Sequence, residues 1–159
     1  MIDEHDQDVT VQELVQTADA VARLALDQTA FKEAHAAFNQ DDAKAFQAAL
    51  EKVGLNELCQ IVCGFFCTKC CIGIGRKFCS GPKKGKSDAE EMFACAQAFG
   101  AVFKEEATAE RFIRIVEEED VEAWNAEMKK YKLKPFCYEI SVLVCSRRCK
   151  KKCGALCQP

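Results

Sequence analysis

Apolar residues recur at helical spacing through most of the chain. Val11, Leu14, Val15, Ala18, Val21, Ala22 and Ala25 fall on one helical face, and Met92, Phe93, Ala96, Phe99, Val102 and Phe103 do the same further on. A start signal precedes each stretch. Thr10-Val-Gln-Glu13 and Asp88-Ala-Glu-Glu91 have capping-box spacing, so a long alanine-rich helix is predicted after each. Polar breaks follow near Asp27-Gln28-Thr29 and Glu105-Glu106. The acidic stretches Asn39 to Asp42 and Glu117 to Asp120 then place carboxylates where a helix N-terminus favours them. They predict short helices that bury Phe46, Leu50 and Val53, or Trp124, Met128 and Tyr131. Gly54 is placed to end the first of these, Asn56 to cap the helix after it, and Pro135 to sit in the first turn of a corresponding later helix.

This pattern occurs twice. At an offset of 137 − 59 = 78 residues, without a gap, Cys59, Cys67, Cys71 and Cys79 fall on Cys137, Cys145, Cys149 and Cys157. The same register matches Asp42 with Asp120, Phe46 with Trp124, Leu50 with Met128, Lys52 with Lys130 and Leu55 with Leu133. The expected architecture is therefore all-α, an internally duplicated helical bundle with three to four helices per half and no strand. The chain is expected to form a single domain, residues 1–159, with repeat 1 over 10–81, a linker over 82–87 in the Gly/Pro/Lys-rich stretch, and repeat 2 over 88–159.

The cysteines lie on a lattice of period four: 59, 63, 67, 71 and 79 in the first half, with Gly75 in the vacant slot, and 137, 145, 149, 153 and 157 in the second, with Ser141 in its vacant slot. A step of four residues in a helix drifts by about 40°, so neighbouring pairs share a face and the whole ladder does not. If the two Cys-rich helices pack antiparallel at the centre of the bundle, every ladder position meets the one that completes a sum of 216. Cys59 then meets Cys157, Cys63 meets Cys153, Cys67 meets Cys149, Cys71 meets Cys145, Cys79 meets Cys137, and Gly75 faces Ser141.

Two chemistries fit such rungs. Thiolates on adjacent turns can rotate onto one ion, and a C-x3-C pair from the partner helix completes four ligands. That reading gives two four-cysteine sites, Cys59, Cys63, Cys153 and Cys157, then Cys67, Cys71, Cys145 and Cys149, with Cys79 and Cys137 as a possible additional pair and Cys70 and Cys95 as auxiliary thiols. Soft ligands select Cu(I), Zn or an iron–sulfur cluster. Arg147, Arg148, Lys150, Lys151 and Lys152 would compensate thiolate charge or bind a partner. The main expectation is thus a cysteine-thiolate metal-binding protein, an electron carrier or a metal store, working with a redox or metal-delivery partner. The alternative is a disulfide-stapled helical structural or interaction module, part of a larger assembly, in which the same rungs close as sulfur–sulfur bonds. Disulfides within one helix are disfavoured, because Cβ atoms four residues apart sit about 5–6 Å from each other.

The repeated C-x3-C spacing in 59–79 and 137–157 resembles that of bacterial copper storage proteins, four-helix bundles whose thiolates hold Cu(I). It is similar as well to the paired C-x3-C motifs of small mitochondrial chaperones, and that resemblance implies disulfides instead.

Composition narrows the field. Twelve cysteines in 159 residues far exceed ordinary usage. A net charge of -3 argues against nucleic acid as the main partner. The most apolar run, Leu58 to Cys67, is too short to span a membrane. The acidic opening Asp3-Glu4 lacks the form of a secretory signal, so a cytoplasmic location is expected. His5 and His35 have no nucleophile at a telling spacing, no phosphate-binding glycine loop occurs, and no enzyme is expected.

Overall fold

The computed structural model describes residues 10–66, 68–69, 78–79, 88–145, 147–148 and 150–157. The segment 82–87, read as a linker, lies outside the described residues. Helices α1 (Val11–Leu24), α2 (Gln28–Asn39) and α3 (Ala43–Lys52) are followed by a short 3-10 turn, Asn56–Leu58, and by α4 (Cys59–Phe66). Then come α5 (Ala89–Phe103), α6 (Glu106–Glu117), α7 (Val121–Lys130), a second 3-10 turn, Lys134–Phe136, α8 (Cys137–Cys145) and α9 (Lys150–Leu156). Each start from 89 to 137 follows its counterpart from 11 to 59 by 78 residues.

Local chemistry sets these boundaries. Thr10, Asp27, Asp42, Asp88 and Asp120 each accept a hydrogen bond from the backbone N–H three residues on, and Asp88 with Glu91 completes a full capping box. The stops are equally regular. Asp41, Gly54, Glu119 and Lys132 all take positive φ, at 55°, 71°, 53° and 58°. Around each, the two backbone hydrogen bonds of a Schellman stop close the helix, as in Asp42 N–H to Ala37 O with Asp41 N–H to Phe38 O. Lys132 occupies the position of Gly54 despite its side chain, so the stop is imposed by these bonds and by burial of Leu133 as much as by residue type. Asn56 does not cap α4 through its side chain; it opens a 3-10 turn that leads into the helix.

The core lies where α1 packs on α5, with α2, α4 and α6 against them. Gly100 sets that approach. A Cβ built on it would lie 2.6 Å from the Ala22 Cβ and 3.1 Å from the Ala18 carbonyl oxygen, so only glycine permits the contact. Aromatic rings run through the interior from Phe66 to Phe65, Phe99, Phe103, Phe112, Trp124 and Phe78, each in contact with the next.

Among the described residues the fold is all-α but for one feature. Thr68–Lys69 and Arg147–Arg148 form a two-residue antiparallel pair, β1 and β2, with Thr68 opposite Arg148 and Lys69 opposite Arg147. The two Cys-rich segments are therefore not uninterrupted helices: α4 ends at Phe66 and α8 at Cys145, just before the strands. The drift of a period-four ladder explains the break, since a continuous helix would carry successive cysteines around its circumference while a strand resets the facing.

Candidate functional site

Cys59 opens α4 and Cys63 lies one turn on, so both sit on the same face. The opposing chain brings Cys153 and Cys157 past them in the reverse direction. Cys59 is bonded to Cys157 and Cys63 to Cys153, each with 5.7 Å between Cα atoms. Cys79 is bonded to Cys137, the first residue of α8, with 5.9 Å between Cα atoms. All three separations are ordinary for a disulfide. The pairs sum to 216, as do the strand partners 68 with 148 and 69 with 147. One antiparallel register thus runs through helix, strand and disulfide alike.

These bonds overturn the metal reading. Cys59, Cys63, Cys153 and Cys157 are brought together as the first four-cysteine group requires, but each sulfur is spent on another sulfur and no thiolate remains to ligate an ion. The additional pair, Cys79 and Cys137, is likewise a disulfide. No group of three or more His, Cys, Asp or Glu side chains able to hold a metal occurs among the described residues. Iron–sulfur, Cu(I) and Zn are therefore withdrawn as cofactors. Of the second four-cysteine group, Cys67, Cys71 and Cys149 lie outside the described residues, and Cys145 is described only in its backbone at the end of α8. Cys70 is outside them too.

Cys95 is a free, wholly buried thiol on α5. Burial, with a smaller contribution from the Glu139 carboxylate, pushes its pKa far above the ordinary thiol range. It stays protonated and inert, the counterpart 95 − 78 = 17 of the buried Thr17. At Cys153 and Cys157 the basic run has no thiolate to offset. Arg147 and Arg148 form β2, Lys150 and Lys151 begin α9, and the Lys152 ammonium lies 3.9 Å from the centre of the Phe38 ring and 3.4 Å from Asp41.

The cytoplasmic expectation falls with the metal. Structural disulfides persist in oxidising surroundings and are rare where thiols are kept reduced, so three of them point to an extracellular or otherwise oxidising environment. No helix among the described residues is long and apolar enough to cross a membrane.

One buried group was not foreseen. Glu127 on α7 is 5% exposed, accepts from Arg111 Nε at 2.6 Å, and holds its other oxygen, Oε2, without a partner among the described residues. Nothing in the pattern marks it, because the corresponding position in the first half is Ala49. His35 is buried as well, with its Nδ1 3.5 Å from Asn39 Nδ2 and its ring against Phe66. No family model, curated protein or solved structure matches the chain.

Proposed function

We propose that the protein is a disulfide-stapled, internally duplicated helical module that acts by presenting a rigid surface to a binding partner in an oxidising compartment, with no catalytic step of its own. The observation that carries this reading is the set of three disulfides, which join residues 98, 90 and 58 positions apart and so tie one half of the chain to the other. Closing a loop of about 100 residues removes on the order of 4–5 kcal/mol of unfolded-state entropy, and a second bond one turn away adds less. Such staples hold a shape and need no catalytic centre to do so.

Duplication is supported by the common 78-residue offset of helix starts, N-caps, Schellman stops and disulfide partners. As the partner-binding group we keep the basic run of the sequence, Arg147, Arg148, Lys150, Lys151 and Lys152, whose charge suits an acidic protein or a larger assembly.

Thiol counting tests the staple. In denaturant, without reductant, alkylation should leave at least the six cysteines of the three bonds unlabelled out of twelve. Labelling of all twelve sinks the reading. The partner surface is checked by capturing an acidic polypeptide such as polyglutamate on the intact protein. Charge reversal at Arg147, Arg148, Lys150 and Lys151 should abolish capture, and equal capture by the reversed variant refutes the assignment.

A further inference from the structure

The two ends of the ladder are related by the 78-residue offset, since 137 − 59 and 157 − 79 are equal, yet they are tied differently. At the α9 end, Cys59–Cys157 is backed one turn away by Cys63–Cys153. Gln47 Nε2 also donates to the Leu156 carbonyl at 2.7 Å, and Lys152 rests on Phe38 beside Asp41. At the other end the rung that corresponds to Cys63–Cys153 falls on Ser141 and Gly75, neither of which can form a sulfur–sulfur bond. The buried Ser141 hydroxyl instead donates to the Tyr138 carbonyl at 2.8 Å.

The counterpart of Leu156 is 156 − 78 = 78, and Phe78 stacks on Trp124 with 4.9 Å between ring centres and 12° between planes. Trp124 Nε1 donates to Cys137 Sγ at 3.4 Å. Tryptophan, sulfur bond and stacked phenylalanine therefore form one unit, at the end where no neighbouring disulfide is found among the described residues. Cys137 and Cys157 are each partly exposed, whereas Cys63 and Cys153 are buried.

We infer that Cys79–Cys137 is a thiol–disulfide exchange site, the staple that a dithiol reductant opens while Cys59–Cys157 and Cys63–Cys153 stay closed, and that opening it frees Phe78 from Trp124. In the first step a thiolate of the reductant bonds to Cys137 Sγ, on the more exposed residue of the pair, as the Cys79–Cys137 bond breaks and Cys79 leaves as a thiolate that takes a proton from water. Cys137 is the leaving group of the second step, and the Trp124 N–H that its sulfur accepts stabilises it as a thiolate, which departs faster for that. The second thiol of the reductant gives its proton to water, bonds to the reductant's first sulfur and expels Cys137, which then takes a proton from water. The dithiol is oxidised to a disulfide by two electrons, and the protein disulfide is reduced to two thiols.

The inference rests on the staple reading, and one experiment separates their failures. The intact oxidised protein is exposed to graded dithiothreitol, sampled by alkylation and linkage mapping in a mass spectrometer, and followed by emission of Trp124, the sole tryptophan. Cys79–Cys137 should open at least about tenfold faster than either other bond, a ratio within the net weight of one hydrogen bond such as that from Gln47. Emission should brighten as the neighbouring sulfur bond is lost and move to longer wavelength as Phe78 leaves. The C79S/C137S variant should show that emission before any reductant is added. Opening of all three bonds together, or unchanged emission once Cys79–Cys137 is open, overturns the exchange site alone. Absence of this linkage from untreated protein overturns the site and this staple with it.

Discussion

Gly100 offers a direct test of how the two halves meet. Substituting alanine puts a methyl group 2.6 Å from the Ala22 Cβ, 3.2 Å from the Ala22 Cα and 3.1 Å from the Ala18 carbonyl oxygen. Two of these atoms are backbone, so α1 and α5 must separate to make room. Overpacking of this kind costs about 1–3 kcal/mol, the rigid backbone neighbours put it at about 2–3 kcal/mol here, and replacing a mid-helix glycine by alanine returns about 1 kcal/mol, leaving a net loss of about 1–2 kcal/mol. Because Ala22 and Gly100 are 78 residues apart and touch each other, they occupy equivalent places across the α1–α5 contact. The exchange A22G/G100A moves one methyl from one side to the other and leaves the helix propensities balanced. It should recover most of the loss. Urea unfolding with disulfides intact reads both variants as changes in midpoint at constant slope. A loss of this size lowers the melting temperature by about 2–8 °C in a chain of this length. The argument fails if G100A is as stable as the parent, or if the exchange is no better than G100A alone.

The shared sum of 216 predicts that linkage mapping will also recover Cys67 with Cys149 and Cys71 with Cys145; pairing of any of these with Cys70 instead would break the register. Truncating Arg111 to alanine should destabilise by about 1–3 kcal/mol, since Glu127 then keeps a buried carboxylate with no cation. The E127A variant, which copies Ala49, should be neutral or stabilising in the same urea assay. Cys95 should resist alkylation until the protein unfolds. Its thiol pKa is raised in the folded state, so the stability it contributes is full below the ordinary thiol pKa and falls as pH climbs above it. Unfolding measurements above that pH should show a smaller decline for C95A than for the parent.

Much of the fold was legible because its signals are local. A capping aspartate three residues before a backbone N–H, an apolar face at helical spacing and an acidic first turn each act within a few residues, and Thr10, Asp42, Asp88 and Asp120 all mark helix starts. The pairing of Cys59 with Cys157, Cys63 with Cys153 and Cys79 with Cys137 was legible too, because a fixed period leaves one antiparallel register that opposes every ladder cysteine.

What those paired sulfurs do was not legible. Ligation and oxidation ask for the same residues at the same spacing and differ only in how closely two chains approach, and no residue type encodes that distance. The approach of 5.7 to 5.9 Å between Cα atoms is a property of the packed bundle, and it decides for sulfur–sulfur bonds. The acidic opening Asp3-Glu4 pointed to the cytoplasm, and the three disulfides point instead to an oxidising environment, because sulfur–sulfur bonds persist only where thiols are not kept reduced. The strand break after α4 and α8 belongs to the same class, because each backbone segment finds its hydrogen-bond partner only across the assembled fold. Glu127 and Gly100 complete the division: one is buried and the other irreplaceable because of neighbours 16 and 78 positions away, contacts that only tertiary structure brings together.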